Sequence, residues 1–183
     1  KSVNGKHEKD VQHQEQDFEN LWQDTTLLRE LDDNSYDEQL LQQLSSKPYV
    51  IYRYFVNDIG LHQIICWSTQ AVLPTEILLS SKDSTGFLKL DNGYYVWHKK
   101  NAATSITLAL IPVKWNYFVT NTYLENNFAT GKEIERKYDI TTAPTKAVVR
   151  SVSGKDLFYL FEKSGNVVPK NNKLAVWLLI FAA

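Results

Sequence analysis

The sequence predicts an α+β fold in which a long N-terminal helix packs on a central antiparallel sheet. Three observations carry that prediction. From about His7 to Leu31 an apolar helical period runs without Gly or Pro, the middle of the chain is a succession of hairpin signals, and no regular crossover helices separate the strands. The last point disfavours a doubly wound parallel sheet. A chain of 183 residues, 43% hydrophobic and 22% charged, is enough for one domain with a good core. That domain is expected over residues 1–173, with its helix in 1–31 and its sheet-containing core in 49–161.

Val11, Phe18, Leu21, Trp22, Leu27, Leu28 and Leu31 recur at spacings of three, four and seven, and Asp32-Asp33-Asn34-Ser35 ends the helix. Val11, Phe18 and Thr25 can share one heptad position, with Gln14, Leu21 and Leu28 at the other. Two polar members weaken that seam, so packing on the domain's own sheet is expected. A second helix is predicted over Tyr36–Leu44, broken by Ser45-Ser46-Lys47-Pro48. Tyr49–Val56 and Leu61–Ser68 read as strands joined through Asn57-Asp58-Ile59-Gly60, and apolar groups on both faces predict central places for them. Phe87–Leu90 and Tyr94–His98 flank Asn92-Gly93, the strongest short hairpin signal. Ile106–Val113 is a further strand that Pro112 should limit. Tyr123–Phe128 reads as a short helix, and Ala147–Val152 and Leu157–Phe161 as two more strands.

The last ten residues, Leu174–Ala183, carry no charge and follow Pro169-Lys170-Asn171-Asn172-Lys173. A membrane-spanning helix needs about 20 such residues, so the run reads as the start of a truncated transmembrane helix. A buried terminal strand or core helix is the alternative. With Lys1 first and no methionine anywhere, the sequence is expected to be a piece of a larger protein.

A net charge of -1 gives no footprint for nucleic acid, which is therefore a poor candidate partner. Cys66, the only cysteine, sits in Ile64-Ile65-Cys66-Trp67 and reads as a small buried hydrophobe. Neither a Gly-rich phosphate loop nor a nucleophile elbow occurs. His7 and His13 belong to the first helix and His62 and His98 to separate hairpins, so structural histidines are expected in preference to a metal site. The acidic residues of Glu15–Asp37 and of Glu133-Ile134-Glu135 read as solvated helix faces. No catalytic residue, metal or cofactor is assigned.

One segment is dense in aromatics interleaved with Lys and Asn: Val113-Lys114-Trp115-Asn116-Tyr117-Phe118-Val119-Thr120-Asn121-Thr122-Tyr123-Leu124-Glu125-Asn126-Asn127-Phe128. It resembles a motif of the extracytoplasmic sensor regions of bacterial membrane-bound histidine kinases, a strand ending in Lys-aromatic-x-Tyr and then Asn-x-Tyr-Leu-x-Asn-x-Phe. Lys114, Trp115, Tyr117, Asn121, Tyr123, Leu124 and Phe128 carry the likeness, with Asn126 or Asn127 as the later Asn. Ile64-Ile65-Cys66-Trp67-Ser68 and Gly154-Lys155-Asp156-Leu157-Phe158 are similar to two further motifs of the family. Neither a phosphoacceptor helix nor an ATP-binding box lies in the chain. The resemblance implies a Cache-like or PAS-like domain of a receptor in a bacterial inner membrane, periplasmic, flanked by membrane helices and homodimeric in the full-length protein.

Tyr117, Tyr123 and Phe128 are expected to pack in the core or against helices and Asn121 to cap the helix that follows it, with Leu124 a structural position of the motif. A pocket between the sheet face and its loops would draw on Trp67, Ser68, Tyr95, Trp97, Lys114 and Asn116, aromatic walls with polar anchors. The expected activity is binding of a small molecule or periplasmic protein without chemistry. A carbohydrate-binding or other interaction module is the alternative, and a small hydrolase the third reading.

Overall fold

The computed structural model describes residues 3–33 and 35–163. Helix α1 (Val3–Gln23) buries Val11, Phe18 and Leu21 on the sheet, the stripe that the apolar spacing predicts. It does not run on to Leu31. Asp24 breaks it, because its carboxylate accepts from the Leu27 N–H at 3.0 Å and so starts a separate helix, α2 (Thr25–Asp32). Asp37 starts α3 (Glu38–Ser45) in the same way, accepting from the Leu40 N–H at 2.9 Å. Gln14 and Leu28 are also buried, so most of the heptad-like seam faces this domain's own interior.

Strands β1 (Val50–Val56), β2 (His62–Trp67), β3 (Thr85–Leu90), β4 (Gly93–Asn101) and β5 (Ser105–Trp115) form one antiparallel sheet in the order β2-β1-β5-β4-β3. Both predicted hairpins close at their Asn/Gly turns. β1 is central and buried on both faces, as predicted. β2 is an edge strand, which corrects the central place expected for it: only Cys66 is fully buried, and Gln63 and Trp67 face water. β5 does not stop at Pro112. The β4–β5 register shifts there, Tyr95 pairing with Pro112 and Tyr94 with Lys114, so the absent N–H falls at a bulge.

The two late predicted strands are β7 (Ala147–Arg150) and β8 (Asp156–Glu162), which join β6 (Tyr138–Thr141) in a second antiparallel sheet of order β6-β8-β7. Two short helices complete the elements: α4 (Glu76–Ser80), at which no helix is expected from the sequence, and α5 (Lys132–Glu135), over the acidic run read as a helix face. The main sheet has a core on each face. On one face Phe18, Leu31 and Leu44 from the helices meet Ile51, Ala109 and Ile111, with Val149 and Phe158 of the second sheet closing the cluster. On the other, Tyr52, Tyr95, Trp97 and Leu110 pack beneath Val72, Leu78 and Leu79. The run Leu174–Ala183 lies outside the described residues, among which no helix is long and apolar enough to cross a membrane.

Candidate functional site

The face of Tyr95 and Trp97 is filled by protein. Segment 68–84 crosses it and is tied down by two tyrosines. The Tyr52 hydroxyl donates to the Val72 carbonyl, and the Tyr95 hydroxyl donates to Asn92 Oδ1 at 2.9 Å while Asn92 Nδ2 donates to the Ala71 carbonyl at 2.9 Å. Burial, helped by nearby Tyr117 and opposed by the Asn92 bond, pushes the Tyr95 hydroxyl up to about 12, so it stays a neutral donor. Lys99, itself buried, donates to the carbonyls of Leu78, Leu79 and Ser81 at 3.1, 2.8 and 2.6 Å and fixes the end of α4.

Space opens instead around the β3–β4 turn. A cavity of about 450 Å³ lies between Ala71–Thr75 and Lys89–Asn92, and one of about 540 Å³ continues past Lys89–Asp91 to Asn116, Tyr117 and Phe118. The two have Lys89, Leu90 and Asp91 as a common wall and together form the β3–β4 groove, one opening on each side of the turn. Gly93 is what lets the turn sit so close, since a Cβ there would lie 2.5 Å from the Lys114 carbonyl oxygen. Tyr117 stacks on Trp115 with ring centroids 5.9 Å apart, and Trp115 meets Tyr95 edge-on at 6.0 Å. A file of rings therefore runs from the core to the groove wall. Asp91 and Asn116 add a carboxylate and an amide, and Lys89 lines the wall with its ammonium 5.6 Å over the Tyr94 ring, so the groove offers hydrogen-bonding groups beside ring faces.

Of the six residues expected to line a pocket, Asn116 lines this groove, its N–H donating to the Asn92 carbonyl at 2.9 Å. Tyr95 and Trp97 lie beneath, buried. Trp67 and Ser68 stand at the end of β2, where Ser68 Oγ accepts from the Ile51 N–H at 3.0 Å. Lys114 turns toward the second sheet, 2.7 Å from Asp139 and 3.0 Å from Glu135, with its ammonium 5.3 Å over the Phe128 ring. Burial works against its charge, but the hydrogen bonds it donates to Asp139 and Glu135 outweigh that and raise its pKa. The six do not converge. Lys89, Asp91 and Phe118 were not anticipated: Lys89 is an ordinary exposed strand lysine in sequence, and Asp91 reads only as a turn residue.

The motif residues divide as well. Phe128 is buried, and Tyr117 is half-buried in the groove wall. Tyr123 is 94% exposed, which corrects the packing role expected for it, and Leu124 beside it is 39% exposed. No helix forms over Tyr123–Phe128. The end of the segment is pinned antiparallel beside the end of β5, the Trp115 N–H donating to the Asn127 carbonyl at 2.8 Å and the Ala129 N–H to the Val113 carbonyl at 2.9 Å, so these backbone groups are taken from a helix. Asn121 does cap, but caps a turn, accepting from the Tyr123 and Leu124 N–H groups at 2.8 and 2.9 Å.

Helix α1 is fastened by carboxylates that the sequence presented as solvated. Glu15 is fully buried; Oε1 accepts from the Thr85 hydroxyl at 3.1 Å and lies 3.4 Å from His98 Nδ1, while Oε2 accepts from the Val152 N–H at 2.7 Å. Glu19 lies 2.9 Å from His98 Nε2 and 2.7 Å from the Lys100 ammonium. Among the described residues no group of three or more His, Cys, Asp or Glu side chains is arranged to hold a metal ion. No protein-family model, curated protein or solved structure matches the chain.

Proposed function

We propose that this chain is the extracytoplasmic sensing domain of a membrane-bound receptor, a two-component histidine kinase by the motif it resembles, and that it binds a small polar ligand at the β3–β4 groove. The observation that carries the proposal is the seating of α1. Glu15 and Glu19 hold it to the main sheet through His98, Glu15 holds it to the second sheet through Val152, and its early turns meet Phe128 and Thr130 at the base of the segment that lines the groove. Groove and helix therefore share the end of β5. A ligand that prefers one seating of α1 shifts the balance between seatings, and only by its difference in affinity for the two.

A helix laid on an antiparallel sheet is also what the resemblance implies, and a Cache-like or PAS-like assignment is the finer reading drawn from it. Binding proceeds without turnover, and the homodimer and the flanking membrane segments belong to the same proposal. The test is the side of the membrane on which the domain lies. Ile59, at a hairpin tip and 79% exposed, is changed to Cys in the parent protein, whose native Cys66 is buried. A membrane-impermeant maleimide is expected to label it in intact cells with a permeabilised outer membrane. Labelling only after lysis would place the domain in the cytoplasm and sink the proposal.

A further inference from the structure

Residues 115–124, Trp-Asn-Tyr-Phe-Val-Thr-Asn-Thr-Tyr-Leu, run without a charged group, and the tip of the loop they form is apolar and bare. Phe118 is 102% exposed, Val119 67% and Tyr123 94%. A fully bare Phe beside a bare Val and Tyr on one loop marks an interaction surface more strongly than scattered apolar residues do.

The loop is a braced projection. Its base is the Lys114–Phe128 bridge, continued by the Tyr117 N–H donating to Asn126 Oδ1 at 2.6 Å, and Asn121 shapes the tip. That base is also where the described chain comes in and goes out. His7, in the second turn of α1, packs its ring 4.9 Å from Phe128 and sets Nδ1 3.0 Å from the Thr130 hydroxyl. At the other end Lys163 reaches Glu135 at 2.6 Å, and Glu135 reaches Lys114 at 3.0 Å. The loop thus projects from the end of the domain at which the described residues begin and end. Only residues 164–173 separate Lys163 from the uncharged run Leu174–Ala183, and ten residues span at most about 35 Å.

We infer that loop 117–124 docks into the interfacial layer of the lipid bilayer beside the flanking segments, with Phe118 and Val119 among the upper acyl carbons and Tyr123 at headgroup level. Aromatic side chains favour that layer, where an apolar ring and a polar tip are both accommodated. Docking there covers the apolar tip and fixes the domain's tilt on the membrane, so the groove behind Phe118 opens close to the lipid surface. The inference rests on the membrane-flanked reading proposed above.

The test places the chain at a bilayer whatever its native surroundings. The full chain carrying a C-terminal hexahistidine is bound to phosphatidylcholine vesicles containing a chelating lipid, with an environment-sensitive fluorophore on Phe118→Cys, on Tyr123→Cys or, as the far-end control, on Ile59→Cys. Lipid-borne nitroxide is expected to quench the labels at 118 and 123 several-fold and to leave the label at 59 unchanged. Labels at 118 and 123 that stay as open to aqueous iodide as the one at 59 would overturn the inference and leave the loop to a protein partner. That result would not touch the sensor reading, which stands or falls on the maleimide experiment in cells.

Discussion

His7 shows how one side chain sets a pH dependence. It is buried against Phe128, its Nε2 has no hydrogen-bond partner among the described residues, and burial together with the Lys6 charge lowers its pKa from 6.5 to about 4. Below 6.5 the unfolded chain takes up a proton that the folded chain refuses, so stability falls as pH drops from 6.5 toward 4. The loss from this residue between about pH 7 and pH 5 is roughly 2 kcal/mol. His7→Phe keeps a ring on Phe128 and removes the titration. Urea unfolding at the two pH values should therefore show a smaller pH dependence for the variant by that amount; equal dependences would refute the assignment. Asp17 and Asp139 act in a lower window. Burial raises each, but bonds from Lys47 and Tyr49 to Asp17, and from Lys114 and the Ile140 N–H to Asp139, outweigh it, so their contributions fade only as pH falls through the carboxylate range.

At the scale of elements, the break between α1 and α2 hangs on Asp24. Asp24→Ala leaves the first amides of α2 without that acceptor and should cost about 1 kcal/mol, measured by chemical denaturation. A neutral result would mean that packing of Leu27, Leu28 and Leu31 alone holds α2. The sequence legibly carried what periodicity and turn chemistry encode locally: the apolar stripe of α1, the Asn-Gly hairpin, the strands β1 to β5 and the pair β7 and β8. What it hid depends on distant partners. The cap at Asp24 lies inside an unbroken helical period, the bulge at Pro112 is set by how β4 pairs, and the stretch around Phe128 is held beside β5 by bonds of Asn127 and Ala129 to Trp115 and Val113. The candidate site was hidden for the same reason. Asn116 was legible from its aromatic surroundings, whereas Lys89 and Asp91 reach it only because a turn twenty-five residues earlier, at Asp91, folds beside it.

For the whole molecule the decisive contact is Glu15. One carboxylate bonds Thr85 and approaches His98 on the main sheet and holds the Val152 amide in the β7–β8 turn of the second, so α1 clamps two separate sheets. Gln12 adds to the second-sheet side, its Nε2 donating to the Arg150 carbonyl at 3.2 Å. Glu15→Ala strands these buried groups and opens a void, for an expected loss of about 3 kcal/mol or more in equilibrium unfolding. Hydrogen exchange should show the amides of β7 and β8 losing protection before those of β1 and β5. Uniform loss across both sheets would show that the clamp is not at Glu15.

The same helix meets His98 from two of its turns. Glu15 and Glu19 are four residues apart, a rise of about 6 Å, and they stand at the two ring nitrogens, Glu15 3.4 Å from Nδ1 and Glu19 2.9 Å from Nε2. The imidazole on β4 is a peg between two carboxylates of α1, so a displacement of the helix along its axis in either direction lengthens one of the two contacts.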